Sequence, residues 1–142
     1  MRGEPIQLVD GGAQKRAFTY IDDGIAALMK ISENRDGVAS GRIYNIGNPK
    51  NNYSVRELAT MMLDLAKTYP EDRRTAAKVK LVDTSAARYY GKGYQDVQNR
   101  VPWIGNTKKD LGWAPKVDMT TALARICDSY RGQLDDARAL AG

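Results

Sequence analysis

The stretch LVDGGAQKRAFTYIDD, residues 8–23, decides the fold of this chain. It begins in a short apolar run, residues 6–10, which predicts a strand that ends in an Asp-Gly-Gly turn. A second extended piece, residues 17–20, precedes a helix predicted from about Asp22 to Asn34. The apolar residues of that helix, which fall at helical spacing, are Ile21, Ile25, Leu28 and Met29. A strand, a tight turn and a helix in such close succession indicate a mixed α/β unit.

Strands and helices continue to alternate further along the chain. A buried strand is predicted at residues 42–46, and Ser54 followed by Glu57 has the form of a capping box at a helix start. Another strand is predicted at residues 79–82. Residues 84–103 have no periodicity, and a loop of that length in a compact domain is often functional. Two further helices complete the pattern, one ending at Gly112 and one capped by Asp118. We therefore expect one α/β domain over residues 1–142.

The composition excludes several classes of protein. The 142 residues are 42% hydrophobic and 27% charged, as in soluble globular proteins, and no apolar run approaches the roughly 20 residues of a membrane span. Cys127 is the only cysteine, so no internal disulfide can form and we expect a cytoplasmic protein. Histidine is absent, which excludes a histidine-dependent triad or zinc hydrolase. The net charge of +5 favours anionic partners, but the basic residues are more scattered than the concentrated stripe expected for nucleic acid.

Two segments carry residues suited to binding an anionic ligand. In residues 8–23, the glycine turn opens the backbone, and Arg16 beside Lys15 can hold a phosphate through two parallel hydrogen bonds. A hairpin turn with a solvated basic pair is the alternative. In residues 88–106, three tyrosines could stack on a base or line a sugar pocket. The alternative there is that the tyrosines pack a long loop onto the core. These are Tyr89, Tyr90 and Tyr94, with Lys92 and Arg100 adding charge.

Four segments then follow one another in a distinctive order: DGGAQKRAFTYIDDGIAAL, GRIYNIGNP, SVRELATMM and LGWAPKVDMTTAL. This order strongly resembles the C-terminal part of extended short-chain dehydrogenase/reductase enzymes that act on nucleotide sugars. Such enzymes combine an N-terminal Rossmann lobe that binds NAD with a smaller C-terminal lobe that binds the sugar nucleotide. The segment YYGKGYQDVQNR is similar to that of the UDP-glucuronate decarboxylase of the bacterial lipid A aminoarabinose pathway, which underlies polymyxin resistance.

The resemblance implies roles for particular residues. Arg16 would bind the diphosphate, Tyr94 would contact the substrate in the same pocket, and Arg100 matches the residue assigned as proton donor after loss of carbon dioxide. Because a guanidinium has a pKa above about 12 and rarely releases its proton, we expect Arg100 to stabilise charge first and to donate a proton second. The stretch that would wrap the UDP group comprises Gln7, Leu8, Val9, Asp10, Gly11, Gly12, Ala13, Gln14, Lys15 and Arg16.

The sequence departs from the family by lacking its other motifs. It contains no G-x-G-x-x-G turn, and Tyr89 and Lys92 do not have the spacing of the catalytic Y-x-x-x-K pair. We therefore expect a small mixed substrate-binding lobe without the NAD-binding Rossmann lobe, inactive alone, which binds UDP-glucuronate or a related UDP-sugar. Another nucleotide-sugar epimerase, dehydratase or UDP-xylose synthase remains an alternative. So does a non-catalytic module that binds UDP-sugars or nucleic acid, and the oligomeric state is open.

Overall fold

The computed structural model describes residues 2–91, 93 and 96–131, and it has the mixed α/β class predicted from the sequence. The strands form two small sheets: β1 pairs in parallel with β4, and β2 lies between antiparallel β3 and parallel β5. Short 3-10 turns lie at Asp10–Gly12 and Arg35–Gly37. In chain order the elements are β1 (Ile6–Val9), β2 (Lys15–Ala17), α1 (Ile21–Glu33), β3 (Asn52–Ser54), α2 (Val55–Thr68), α3 (Arg73–Ala76), β4 (Leu81–Thr84), α4 (Ala86–Tyr89), β5 (Asn99–Arg100), α5 (Gly105–Leu111) and α6 (Met119–Arg131).

Helix α2 begins with the capping box that the sequence predicts. Ser54 Oγ accepts a hydrogen bond from the Glu57 N–H at 3.1 Å, and Glu57 Oε2 accepts one from the Ser54 N–H at 2.7 Å. The two side chains satisfy backbone groups that would otherwise lack partners at the helix end. Hydrogen bonding of the Glu57 carboxylate to Ser54, above all to its backbone N–H, lowers the pKa of Glu57. Since Ser54 both ends β3 and caps α2, it sets where the helix leaves the sheet.

The main hydrophobic cluster joins α1 and α5 to the segment that leads into β3. Its buried members are Ala27, Ile104, Leu111 and Trp113, and Tyr44 and Ile46 pack against them. Asp23, in the first turn of α1, ties this cluster to the chain beyond α5. Its carboxylate is only 7% exposed and accepts the backbone N–H groups of Lys116 and Val117 at 3.0 and 2.9 Å.

One sequence expectation differs from the structure, and one helix packs in a way that the sequence did not indicate. Residues 42–46 were expected to form a buried strand, but they form no strand in the described part of the chain, and Ile43 is 91% exposed. Exposure alternates along the segment, since Tyr44 and Ile46 pack against the hydrophobic cluster while Ile43 faces outward. The apolar residues of α1 also form an exposed face, since Ile21, Ile25, Leu28 and Met29 are 48–64% exposed. The helix buries Asp23 and Ala27 instead.

Other predicted elements are present, but their observed boundaries differ from the predicted ones by a few residues. The extended piece expected at residues 17–20 is strand β2 at Lys15–Ala17, and the strand expected at residues 79–82 is β4 at Leu81–Thr84. The aperiodic segment 84–103 contains the short helix α4 and the two-residue strand β5. Among the described residues, no helix combines the length and the apolarity that a bilayer span requires.

The Asp23 contacts generate a prediction about stability. Asp23→Ala leaves two backbone N–H groups without their acceptor, and each such loss costs about 1–3 kcal/mol. We expect the free energy of unfolding to fall by about 2–4 kcal/mol, measured by urea unfolding followed by circular dichroism. Asp22 is exposed in the same helical turn, so Asp22→Ala is a matched control with an expected loss below about 1 kcal/mol. Equal losses in both variants would contradict the role of Asp23.

Candidate functional site

Strand β2 brings together residues that lie far apart in the sequence. In the sheet register, Arg16 pairs with Tyr53 of β3 on one side and with Arg100 of β5 on the other. Paired positions on neighbouring strands project from the same face of a sheet. The two arginines predicted from separate segments are therefore neighbours on one face of this sheet.

The segment before β5 holds the Arg16 guanidinium in place. Its Nη1 donates to the carbonyl oxygens of Lys15 and Val97, both at 2.7 Å, and its Nη2 donates to Asp96 Oδ1 at 2.5 Å. The Arg16 and Asp96 side chains are 26% and 27% exposed. A guanidinium has five N–H donors, and these contacts use only some of them. Arg16 is thus oriented, and its contacts with the described residues leave donors for an anion.

Arg100 has a different environment from Arg16. Its side chain is exposed, and no hydrogen bond or ion pair joins it to another residue in the described part of the chain. A guanidinium keeps its charge at any ordinary pH. The sheet therefore presents an exposed positive charge beside the oriented Arg16.

The turn between β1 and β2 has three successive residues of positive φ: Asp10 at 47°, Gly11 at 73° and Gly12 at 66°. A Cβ on Gly12 would lie 3.0 Å from the backbone nitrogen of Arg56, so this position needs glycine for space as well as for conformation. Two side-chain hydrogen bonds hold the turn. Asp10 Oδ1 accepts the Ala86 N–H at 2.8 Å, and Arg56 Nε donates to the Gly11 carbonyl at 2.8 Å.

A cleft of about 630 Å³ opens beside this turn, between the β2–β3 pair and the first turns of α2. Its volume is in the range of small-molecule sites. The cleft is lined by Gly11, Ala13 and Lys15 from the stretch predicted to wrap UDP, and by Tyr53, Arg56 and Met61 among others. Arg16 and Arg100 are not among its lining residues, although Tyr53, which pairs with Arg16, is. The β2–β3 pair therefore borders both the cleft and the arginine pair.

The other predicted site residues are distributed as follows. Leu8 is fully buried and offers a ligand no side-chain surface, while Gln7 and Val9 lie in β1, paired with Val82 and Thr84. Tyr94 and Lys92 lie outside the described residues. Tyr89 and Tyr90 are more than half exposed, and their rings meet edge to face at 4.7 Å. These two tyrosines pack on each other and not in the core.

Sequence reasoning did not single out Tyr53, Arg56, Asp83 or Asp96. Asp96 orients Arg16, and Asp83 Oδ1 accepts a hydrogen bond from Arg56 Nη2 at 2.5 Å. For Asp96 the available signal was its place in the tyrosine- and glycine-rich segment. For Arg56 it was a basic residue in the first turn of a well-capped helix. Neither signal identifies the distant partner, which only the folded chain brings close.

The described residues do not form a cradle for NAD. A dinucleotide site needs a glycine-rich turn that joins a strand to a helix. Here β1 leads through the Asp10–Gly12 turn into another strand. Nor does the described part of the chain contain a group of three or more acidic or thiol side chains placed to hold a metal ion. What the described residues offer is positive charge and an open glycine turn, which suit an anionic ligand.

Comparisons with known proteins agree with this architecture. Residues 1–47 match the model of the NAD dependent epimerase/dehydratase family. The PbgP3 protein from Burkholderia pseudomallei is 59% identical in sequence to this chain, and its crystal structure matches with a TM-score of 0.83. The match covers 98% of this chain and 38% of PbgP3.

Two further solved structures share the fold at lower identity. UDP-glucuronic acid 4-epimerase from Bacillus cereus, in complex with UDP-glucuronic acid and NAD, is 20% identical with a TM-score of 0.67, over 86% of this chain and 33% of that one. UDP-glucose 4-epimerase from Thermotoga maritima, with UDP-glucose, is 23% identical with a TM-score of 0.66. This match covers 94% of this chain and 37% of the epimerase. By sequence, residues 1–47 therefore relate this chain to the NAD dependent epimerase/dehydratase family, and the chain spans between 33% and 38% of the length of these three relatives.

Proposed function

We propose that this chain is the sugar-nucleotide-binding lobe of an NAD-dependent UDP-glucuronate decarboxylase, which forms a UDP-4-keto-pentose for lipid A aminoarabinose modification. The register pairing of Arg16 with Arg100 carries the proposal. The sequence resemblance gives one arginine to the diphosphate and the other to the reacting sugar, which are directly joined in a nucleotide sugar. Neighbouring positions in one sheet suit that division of tasks. The 59% identity to PbgP3 and the UDP-glucuronic acid bound by the Bacillus cereus epimerase support the substrate class.

The exposed apolar surface supports a lobe that packs against another. Helix α1 exposes a row of large apolar side chains, and the extended segment 42–46 exposes Ile43 and has no strand partner among the described residues. Large exposed apolar patches mark interaction surfaces. We infer that an N-terminal Rossmann lobe covers both features, and that NAD is bound mainly by that lobe.

In the proposed reaction, UDP-glucuronate is oxidised at C4 of the sugar, and NAD supplies the hydride acceptor when it is bound in the complete enzyme. The resulting β-keto acid loses carbon dioxide, and the electron pair of the broken C5–C6 bond remains on the sugar as an enolate. Protonation of this enolate at C5 gives the UDP-4-keto-pentose. Arg16, oriented by Asp96, would hold the diphosphate through charge-assisted hydrogen bonds. Arg100 would place a fixed positive charge beside the carboxylate and then beside the enolate, which lowers the barrier to decarboxylation.

A lobe of a different nucleotide-sugar enzyme is the second candidate, because the fold is shared with two epimerases. The two candidates differ in the fate of the carboxylate carbon. The complete enzyme, given NAD and UDP-glucuronate labelled at the carboxylate, should release labelled carbon dioxide. Retention of the label in an epimerised sugar would replace the decarboxylase with an epimerase.

Another prediction concerns the 142-residue chain alone. We expect no turnover of UDP-glucuronate with NAD, because the chain lacks both the glycine-rich dinucleotide turn and the tyrosine–lysine pair. NADH absorbance and carbon dioxide release would be followed at high protein concentration, with the complete enzyme as control. Formation of both products by the chain alone would contradict the proposed division into lobes.

Arg16 is predicted to bind the diphosphate. In the complete enzyme, Arg16→Ala should weaken UDP and substrate binding together by about tenfold or more, since a charge-assisted contact contributes about 1.5–3 kcal/mol. Arg16→Lys should recover part of the loss, because lysine keeps the charge without the fork. Arg35, whose side chain is 83% exposed, provides the control Arg35→Ala. Isothermal titration with UDP measures the effect, and wild-type affinity in Arg16→Ala would remove Arg16 from the site.

Arg100 is predicted to serve the chemistry more than the binding of UDP. Arg100→Ala and Arg100→Met should lower turnover by on the order of a hundredfold, the loss expected when one preorganised charge-stabilising group is removed. The UDP dissociation constant should change little, because UDP lacks the glucuronate carboxylate. Methionine keeps much of the side-chain length, so a loss in both variants points to charge. Lost UDP affinity with intact turnover at saturating substrate would instead make Arg100 a second phosphate ligand.

A further inference from the structure

The Arg56 side chain connects the glycine turn of the proposed nucleotide site to a distant strand. Arg56 is the second residue of α2. Its Nε donates to the Gly11 carbonyl at 2.8 Å, and its Nη2 donates to Asp83 Oδ1 in β4 at 2.5 Å. One guanidinium thus bridges the turn that joins β1 to β2 and the strand that pairs with β1.

The conformation of the turn explains why such a contact matters. Asp10 is not a glycine, yet its φ is 47°, and Gly11 and Gly12 follow with φ of 73° and 66°. Non-glycine residues visit this region rarely, and glycine loses the most conformational freedom when it is fixed. A peptide unit is planar, so holding the Gly11 carbonyl also fixes the direction of the Gly12 N–H. The Arg56 contact therefore selects one arrangement of a turn that glycine would otherwise leave free.

The ion pair between Arg56 and Asp83 contributes little to the stability of the whole fold. The Arg56 and Asp83 side chains are 45% and 63% exposed, and exposed pairs contribute about 0–1 kcal/mol. Both Arg56 and Gly11 line the cleft of about 630 Å³ beside the turn. The contact thus acts where the chain meets the cleft and not in the hydrophobic core.

We propose that Arg56 is a positioning residue of the nucleotide site, which fixes the Asp10–Gly12 turn against β4 before the ligand binds. The proposal rests on the proposed function, because the turn belongs to the stretch assigned to the UDP group. Preorganisation of a binding segment lowers the entropy lost on binding. Loss of Arg56 should therefore weaken UDP and the nucleotide sugar by the same factor and leave the chemical step nearly unchanged.

The test uses the complete enzyme with Arg56→Met, Arg56→Lys and Asp83→Asn. In Arg56→Met, the UDP dissociation constant and the KM for UDP-glucuronate should both rise about tenfold, the lower end of the loss seen when outer-shell partners are removed at metal sites. The turnover number should stay within about twofold, and NAD affinity should not change. Lysine should restore part of the affinity, and Asp83→Asn should lose less than Arg56→Met. Lys67→Met is the control, since Lys67 is an exposed cation of the same helix, paired with Asp64.

A second measurement tests, without a ligand, whether Arg56 holds the Asp10–Gly12 turn in place. Amide hydrogen exchange of Gly11, Gly12 and Ala13 in the 142-residue chain should become faster in Arg56→Met, with no change in β3 or in the second half of α2. Unchanged exchange, or wild-type UDP affinity in Arg56→Met while Arg16→Ala loses binding, would overturn the positioning role and leave the proposed function intact. Failure of the wild-type enzyme to bind UDP would overturn both. A parallel fall in turnover, NAD affinity and melting temperature would make Arg56 a general folding residue and also overturn the proposal.

Discussion

Strand β2 has three residues, yet the candidate site depends on its pairing with both neighbours. Side chains alternate along a strand, so a shift of one residue would move Arg16 to the opposite face and replace it with Lys15. Backbone hydrogen bonds at both ends prevent that shift. The Lys15 N–H donates to the Gln98 carbonyl at 2.7 Å, and the Phe18 N–H donates to the Asn51 carbonyl at 3.0 Å. The register of one short strand therefore determines which charges share a face.

The pairing of Arg16 with Arg100 has an electrostatic cost that indicates its use. Like charges at directly opposite positions destabilise a sheet, and here Asp96 compensates only one of the two. The Arg100 charge stays in solvent. A ligand with two separated negative groups, such as a nucleotide sugar with a diphosphate and a carboxylate, would remove this imbalance. An anionic ligand would thus make the arrangement more favourable, and local rules of sequence design are broken mainly at functional sites.

Features determined by a few neighbouring residues were predictable from the sequence. The Ser54–Glu57 capping box, the left-handed Gly112 after α5 and the Asp118 cap of α6 all occur as predicted. Each is decided by groups within one helical turn. The burial of α1 was not predictable, because apolar spacing shows that a helix has an apolar face but not what covers it. The same holds for the segment 42–46, whose alternation suits a strand that lacks a partner among the described residues.

The sequence offered candidate residues for the site but not their geometry. Arg16 and Arg100 were named through separate segments, and their adjacency depends on β5, a strand of two residues that no periodicity could reveal. Asp96 is 80 positions from Arg16 along the chain, and nothing local connects them. Short strands at large sequence separation carry little pattern, because their pairing is stabilised by the rest of the fold.

The short connection between β2 and α1 links the position of Arg16 to the exposed apolar face of α1. Only residues 18–20 separate the strand that carries Arg16 from the helix that carries the apolar row. This connection is fixed by the Phe18 backbone bond to Asn51 and by Thr19 Oγ1, which accepts the Asn48 N–H at 3.0 Å. The other face of α1 is held by Asp23 and Trp113. A lobe that docks on α1 would therefore also set the position of Arg16 relative to that lobe. In the proposed enzyme, the connection at residues 18–20 would align Arg16, which is proposed to bind the diphosphate, with the bound NAD.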